Sequence, residues 1–139
     1  MEVQINYLAV LLAAISSMVV GSIWYMPAVF GDTWAKLAKI KLKDMGANPA
    51  KAYGLTFIAS LLTAFVLAHM TYIAHTFYTN SFLYDAVLTA FWLWLGFTGA
   101  RILVHDLFEN RPLKLTLLNS AHELATIVVM ALVIGWLKP

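Results

Sequence analysis

The stretch Arg101–Glu123, RILVHDLFENRPLKLTLLNSAHE, sets the architecture of the chain. Its first residues close a long apolar run, Asp106–Lys114 is polar, and a second apolar run opens at Leu113, directly after Pro112. Proline is tolerated at a helix start, where its missing N–H costs no hydrogen bond. The stretch therefore reads as two membrane-spanning helices joined by a short basic turn. It also places Arg101, His105, Asn119, His122 and Glu123 in or beside segments that otherwise look soluble in lipid.

Outward from the turn, one run reaches back to Leu83 and the other forward to Leu137. Two earlier runs match them, so the predicted spans are roughly Ile5–Met26, Tyr53–His75, Leu83–Val104 and Leu113–Leu137. Each approaches the ~20 residues that a helix needs to cross a hydrocarbon core. Composition agrees: 62% of residues are hydrophobic and 12% charged, against roughly 45–50% and about 25% in soluble domains. The expected fold is all-α and polytopic, one unit over residues 1–139, with four transmembrane helices and one cytoplasmic interfacial helix.

The interfacial helix is predicted over about residues 33–45. Trp34, Leu37, Ala38, Leu42 and Met45 gather on one side, with Lys36, Lys39 and Lys43 opposite and Lys41 near the apolar face. A helix of this kind lies on an anionic leaflet, apolar face down; a nucleic-acid arm would have no use for that face, and no nucleic-acid partner is expected. Trp24, Tyr25 and Trp34 suit the headgroup level. Pro27 resists continuation of the first span, Asp32 is the expected N-cap of the interfacial helix, and Gly46 its expected end. Asn48-Pro49 should start the second span, and Asn80 or Ser81 should cap the third.

Of the nine basic residues, Lys36, Lys39, Lys41, Lys43 and Lys51 lie in or beside the first connection, and Arg111 and Lys114 lie in the third. The second connection, Thr76–Phe82, has none. The positive-inside rule then puts the first and third connections in the cytoplasm and both termini outside. Glu2 stands where a cleaved leader would carry basic residues, so the N-terminus is read as part of the first span. The chain has no cysteine, which excludes disulfides and thiolate chemistry.

Small residues recur every fourth position in the first span (Ala9, Ala13, Ser17, Gly21) and in the second (Thr56, Ser60, Ala64, Ala68). Such rows let helix backbones approach closely, so these two spans are expected to pack tightly. The pairs Gly96/Ala100 and Ala131/Gly135 are too short to carry the same weight.

The aromatic-proline segment Trp24-Tyr25-Met26-Pro27, Phe30-Gly31 with Trp34, and Phe108-Glu109-Asn110-Arg111-Pro112-Leu113-Lys114-Leu115 followed by Asn119 resemble a family of small bacterial membrane proteins, domain of unknown function 1761. The resemblance covers nearly the whole chain, and the Arg-Pro-Leu-Lys-Leu turn is its most specific part. It implies a four-span protein of the bacterial inner membrane and brings no activity with it. His122-Glu123 is not among the residues that carry it.

Arg101 stands about one turn from the end of its span, with His105 four residues on and on the same face. Glu123 is one turn deeper than Asn119, within reach of a long arginine side chain. Two arrangements follow: an Arg101–Glu123 pair that fixes the register of the last two spans, or a carboxylate facing a water-filled path that handles protons or ions. His69 and His75 are six residues apart and point in different directions. No metal site, catalytic residue or cofactor is expected, and Trp92 and Trp94 are read as packing or lipid contacts. The favoured function is a structural or accessory membrane protein, homo-oligomeric or part of a larger complex, and not an enzyme. The alternative is a small proton-coupled transporter or channel using Arg101, Asn119, His122 and Glu123. A membrane enzyme working at the cytoplasmic interface is a weaker third reading.

Overall fold

A computed structural model describes residues 2–40 and 48–139. The long helices are α1 (Tyr7–Trp24), α3 (Pro49–Tyr78), α4 (Phe82–Phe108) and α5 (Leu113–Leu137), each long and apolar enough to cross a membrane. The short helix α2 (Asp32–Ala38) follows α1. All four expected spans are present; α3 is longer than its apolar run, extending from Pro49 to Tyr78.

Local chemistry sets the boundaries. Asn6 caps α1 by accepting from Ala9 N at 3.1 Å, Asn48 caps α3 by accepting from Lys51 N at 3.0 Å, and Ser81 caps α4 by accepting from Tyr84 N at 3.3 Å. Two expectations near α2 need correction. Pro27 opens a wide helical turn, Pro27–Gly31, that runs straight into α2, so Asp32 is a first-turn residue and not the N-cap. The helix also stops at Ala38, because Lys39 takes a left-handed conformation (φ 56°). Lys41, Leu42, Lys43, Met45 and Gly46 lie outside the described residues.

The four long helices form a ring in which α1 packs on α3 and α5, and α4 packs on the same two helices. Its interior is built from small side chains: Ala13, Ala14, Ala64, Ala86, Ala90 and Ala131 are wholly inaccessible, closed by Leu67, Met130 and Ile134. Large apolar side chains point the other way; Phe97 and Trp136 are each 78% exposed. That inversion would be costly in water and is normal in lipid, where helices associate through close packing of small residues. The fold is thus a membrane-spanning all-α bundle with one additional short helix at the interface.

The row Ala9–Ala13–Ser17 is buried, as is Ala64 with Ala68, and Ser17 meets Ser60 across the helix pair. A closer approach occurs at one of the short small-residue pairs. A Cβ on Gly135 would lie 2.8 Å from Leu83 Cα and 3.2 Å from Ala86 Cβ, so α5 presses its backbone onto α4 there. At this end Asn6 Nδ2 also donates to Lys138 O at 2.8 Å, fastening the two chain ends together on one side of the bundle.

Candidate functional site

Alanine packing closes only the half of the bundle nearer the chain ends. In the other half the helices leave a cavity of about 390 Å³, a volume within the range of small-molecule sites. α1 contributes Ser17, Met18, Gly21 and Ser22, and Tyr25 follows at the end of the helix. α3 contributes Thr56, Ala59, Ser60 and Thr63, α4 Trp94 and Thr98, and α5 His122, Glu123, Thr126, Ile127 and Met130. The hydroxyls of Ser17 and Ser60 share a 2.9 Å hydrogen bond, and Met130, with 1% exposure, joins this cavity to the alanine core. The vestibule therefore has a mainly apolar wall, set with hydroxyls and a histidine–carboxylate pair, and is backed by the closed half of the bundle.

Its acid–base element is His122 with Glu123. Nδ1 of His122 lies 3.2 Å from Glu123 Oε1, and Nε2 lies 3.4 Å from Thr126 Oγ1. A carboxylate accepts only, so this pairing puts the imidazole proton on Nδ1 and leaves Nε2 as an acceptor. The ring is held between aromatic neighbours, with Tyr25 at 4.9 Å and Trp24 at 5.8 Å between centroids. Gly21 faces Nε2, and a Cβ there would meet it at 3.6 Å, an ordinary contact.

A wide helical turn in α4, Trp94–Gly99, shapes the opposite wall. Such turns shift the register of a helix and often occur at functional sites. Here it lets the Trp94 indole reach across and donate from Nε1 to Ser120 O at 2.9 Å. Gly99 makes room, since a Cβ would stand 3.2 Å from both the indole and Ser120 Oγ.

The polar residues singled out in the sequence are thus divided. His122 and Glu123 share the vestibule. Arg101 and His105 are exposed residues of α4 that line no part of it, and among the described residues Arg101 makes no salt bridge with Glu123. The pairing fails because Arg101 lies on an exposed face of α4 while Glu123 faces the vestibule. Asn119 serves α2: its Oδ1 accepts from Trp34 Nε1 at 3.0 Å, docking the short helix on α5. Trp34 also packs edge-on to Tyr25 at 5.3 Å. Lys36 and Lys39 are both exposed. Trp24 turns inward with a buried indole nitrogen, its ring 4.7 Å from Phe30.

Two buried carboxylates were missed. Asp106, 7% exposed, accepts from Thr116 Oγ1 at 2.7 Å, and its carbonyl accepts from Arg111 N at 2.9 Å. This latch closes the α4–α5 turn, with the Arg111 side chain 3.7 Å from the same carboxylate and paired more closely with Glu109. At the opposite end Asp85, 1% exposed, is held by His75 Nδ1 at 2.9 Å and Asn80 Nδ2 at 3.0 Å. Asp85 also occupies the first turn of α4, where the helix dipole favours a negative charge. His69 packs against Phe65, and its buried Nδ1 finds no hydrogen-bond partner among the described residues. Among the described residues no three His, Asp or Glu side chains gather as metal ligands.

A family model described as protein of unknown function (DUF1761) matches residues 8–135, and the chain belongs to that family. No match was found among curated proteins or among solved structures.

Proposed function

We propose that this member of the DUF1761 family is a small carrier, which takes a polar solute into the vestibule and couples its passage to a proton on His122–Glu123. One observation carries the proposal: an acid–base pair lines a cavity that opens in one half of the bundle and is backed by alanine packing in the other. Helix-joining side chains would be expected to satisfy one another in a tight seam, as Asp106 and Thr116 do. Glu123 keeps 46% of its side-chain surface accessible instead. Intramembrane carboxylates and histidines with access to water are the usual proton-handling groups of transporters. The other groups facing the pair are the Tyr25 phenol and hydroxyls of α1, α3, α4 and α5; among the described residues the lining contains no further acid or base.

The carrier reading uses the pair to hold and release a proton, not to break a bond in the solute. The Lys-rich end, with Lys36, Lys39, Lys51, Arg111 and Lys114, belongs in the cytoplasm by the positive-inside rule, against an anionic leaflet of a bacterial inner membrane. The vestibule then receives solute from the cytoplasm. An accessory or homo-oligomeric role draws its support from the broad aromatic face of α4, where Trp92 is 60% and Phe97 78% exposed.

The test is proton movement in proteoliposomes carrying a lumenal pH dye, challenged with small polar solutes of different charge. The expected result is a solute-dependent pH change that Glu123→Gln abolishes while the variant still elutes as a folded protein. Absence of any solute-dependent change with the unaltered protein would overturn the carrier reading.

A further inference from the structure

We infer that the vestibule selects a small organic cation carrying N–H donors, a primary ammonium or a guanidinium; this deepens the carrier reading and rests on it. The direction of the hydrogen bonds in the wall is what points there. Ser22 Oγ donates to Met18 O at 2.8 Å, Thr56 Oγ1 to Ala52 O at 2.8 Å, and Thr63 Oγ1 to Ala59 O at 3.1 Å. Each hydroxyl spends its one proton on its own helix, so it offers the cavity lone pairs only. The Trp94 N–H is likewise committed to Ser120 O, which leaves the indole as a π surface.

Glu123 adds a carboxylate, while among the described residues no lysine or arginine lines the cavity. With Thr126 donating to His122 Nε2, the uncommitted hydroxyl protons of the wall belong to Tyr25 and Thr98, too few to satisfy an anion against a neighbouring carboxylate. A wall whose polar groups are mostly acceptors, with one formal negative charge and the rings of Tyr25 and Trp94 on two sides, matches an ammonium head in each respect: donors to lone pairs, charge to carboxylate, cation to ring face. An anion would meet like charge.

The test uses three probes of one frame, benzylammonium, benzyl alcohol and benzoate, titrated calorimetrically into the purified full-length protein in mild detergent. Ser60→Cys is labelled in parallel with a water-soluble maleimide, the chain having no native cysteine. The expected order is benzylammonium first, benzyl alcohol weaker and benzoate undetected. Glu123→Gln should weaken benzylammonium by about fivefold, the loss of one partly exposed charge interaction, and leave benzyl alcohol within about twofold. Unchanged ammonium affinity in Glu123→Gln, benzoate binding as well as benzylammonium, or no binding by any probe would overturn the cation assignment. In those cases labelled Ser60→Cys leaves the vestibule, and with it the carrier reading, standing. An unlabelled Ser60→Cys would remove both.

Discussion

Replacing Gly135 by alanine tests the tightest approach in the bundle. A methyl group there would come to 2.7 Å from Leu83 Cδ1, 2.8 Å from Leu83 Cα and 3.2 Å from Ala86 Cβ. The first clash can be relieved by a rotamer change. The second cannot, because the backbone of Leu83 moves only with its helix. Overpacking of this kind costs about 1–3 kcal/mol, and the demand for a backbone shift puts Gly135 in the upper half of that range. Alanine recovers about 1 kcal/mol of helix propensity over glycine, so the net expectation is a loss of about 1–2 kcal/mol. That corresponds to a roughly five- to thirtyfold shift toward the unfolded or unpaired state. Gly96→Ala is the control: a Cβ at Gly96 has nothing within 4 Å, so stability should hold or rise. Thermal unfolding of both variants in one mild detergent, followed by intrinsic tryptophan fluorescence, measures the difference. Adding Leu83→Ala to Gly135→Ala should not recover stability, because the clash with the α4 backbone remains and a side chain is lost. A Gly135→Ala protein as stable as the unaltered one would refute the close approach of α4 and α5.

Three further outcomes follow from other interactions. Thr116→Val removes the hydroxyl that serves buried Asp106 and should cost about 1.5–3 kcal/mol, the range for a hydrogen bond to a charged group, read as a lowered unfolding midpoint. His75→Ala should destabilise the protein because Asp85, 1% exposed, would keep only its Asn80 partner; the same unfolding assay checks it. Gly21→Ala should leave stability within about 1 kcal/mol, since its methyl meets His122 Nε2 at an ordinary 3.6 Å. By filling part of the vestibule beside His122 it should nevertheless weaken benzylammonium binding, measured by calorimetry.

Spans, caps and the buried face of α1 were legible because they rest on local signals: runs of apolar residues, Asn and Ser before helices, and small residues at every fourth position. Asn48 and Ser81 perform the expected capping, and Ser17 meets Ser60 on the two rows. Gly135 was not legible, since a short small-residue pair acquires meaning only when the neighbouring helix is known to offer Leu83. The wide turns at Pro27–Gly31 and Trp94–Gly99 were also hidden. The one inside α4 inserts a residue into the helical register, and no local residue preference announces it. The Trp94–Gly99 turn frees an indole to cross to α5, so the wall of the vestibule depends on a register shift that helical projection misses.

The polar residues show the same limit. Arg101 and Glu123 lie at compatible depths along two helices, yet depth says nothing about rotation, and the two side chains are not paired. Asp106 and Thr116, ten residues apart with Arg111 between them, were readable in principle as a turn that buries its own carboxylate. Asp85 and His75, also ten apart across a turn, repeat the arrangement at the other end. Both belong to helix joining, which leaves the adjacent His122 and Glu123 as the pair that faces open space.

Site-by-site cysteine accessibility puts the half-open, half-closed bundle to its sharpest test, because the chain starts with no cysteine to remove. Single cysteines at Ser22, Ser60 and Thr126 report on the vestibule, and single cysteines at Ala64 and Ala131 report on the closed half. A membrane-impermeant maleimide is applied to sealed vesicles of each orientation. Labelling is expected at Ser22, Ser60 and Thr126 from the Lys-rich side alone, with none at Ala64 or Ala131 from either side. Protection of all three vestibule positions, or labelling of Ala64 and Ala131 as readily as Ser60, would contradict an open vestibule backed by a closed alanine core.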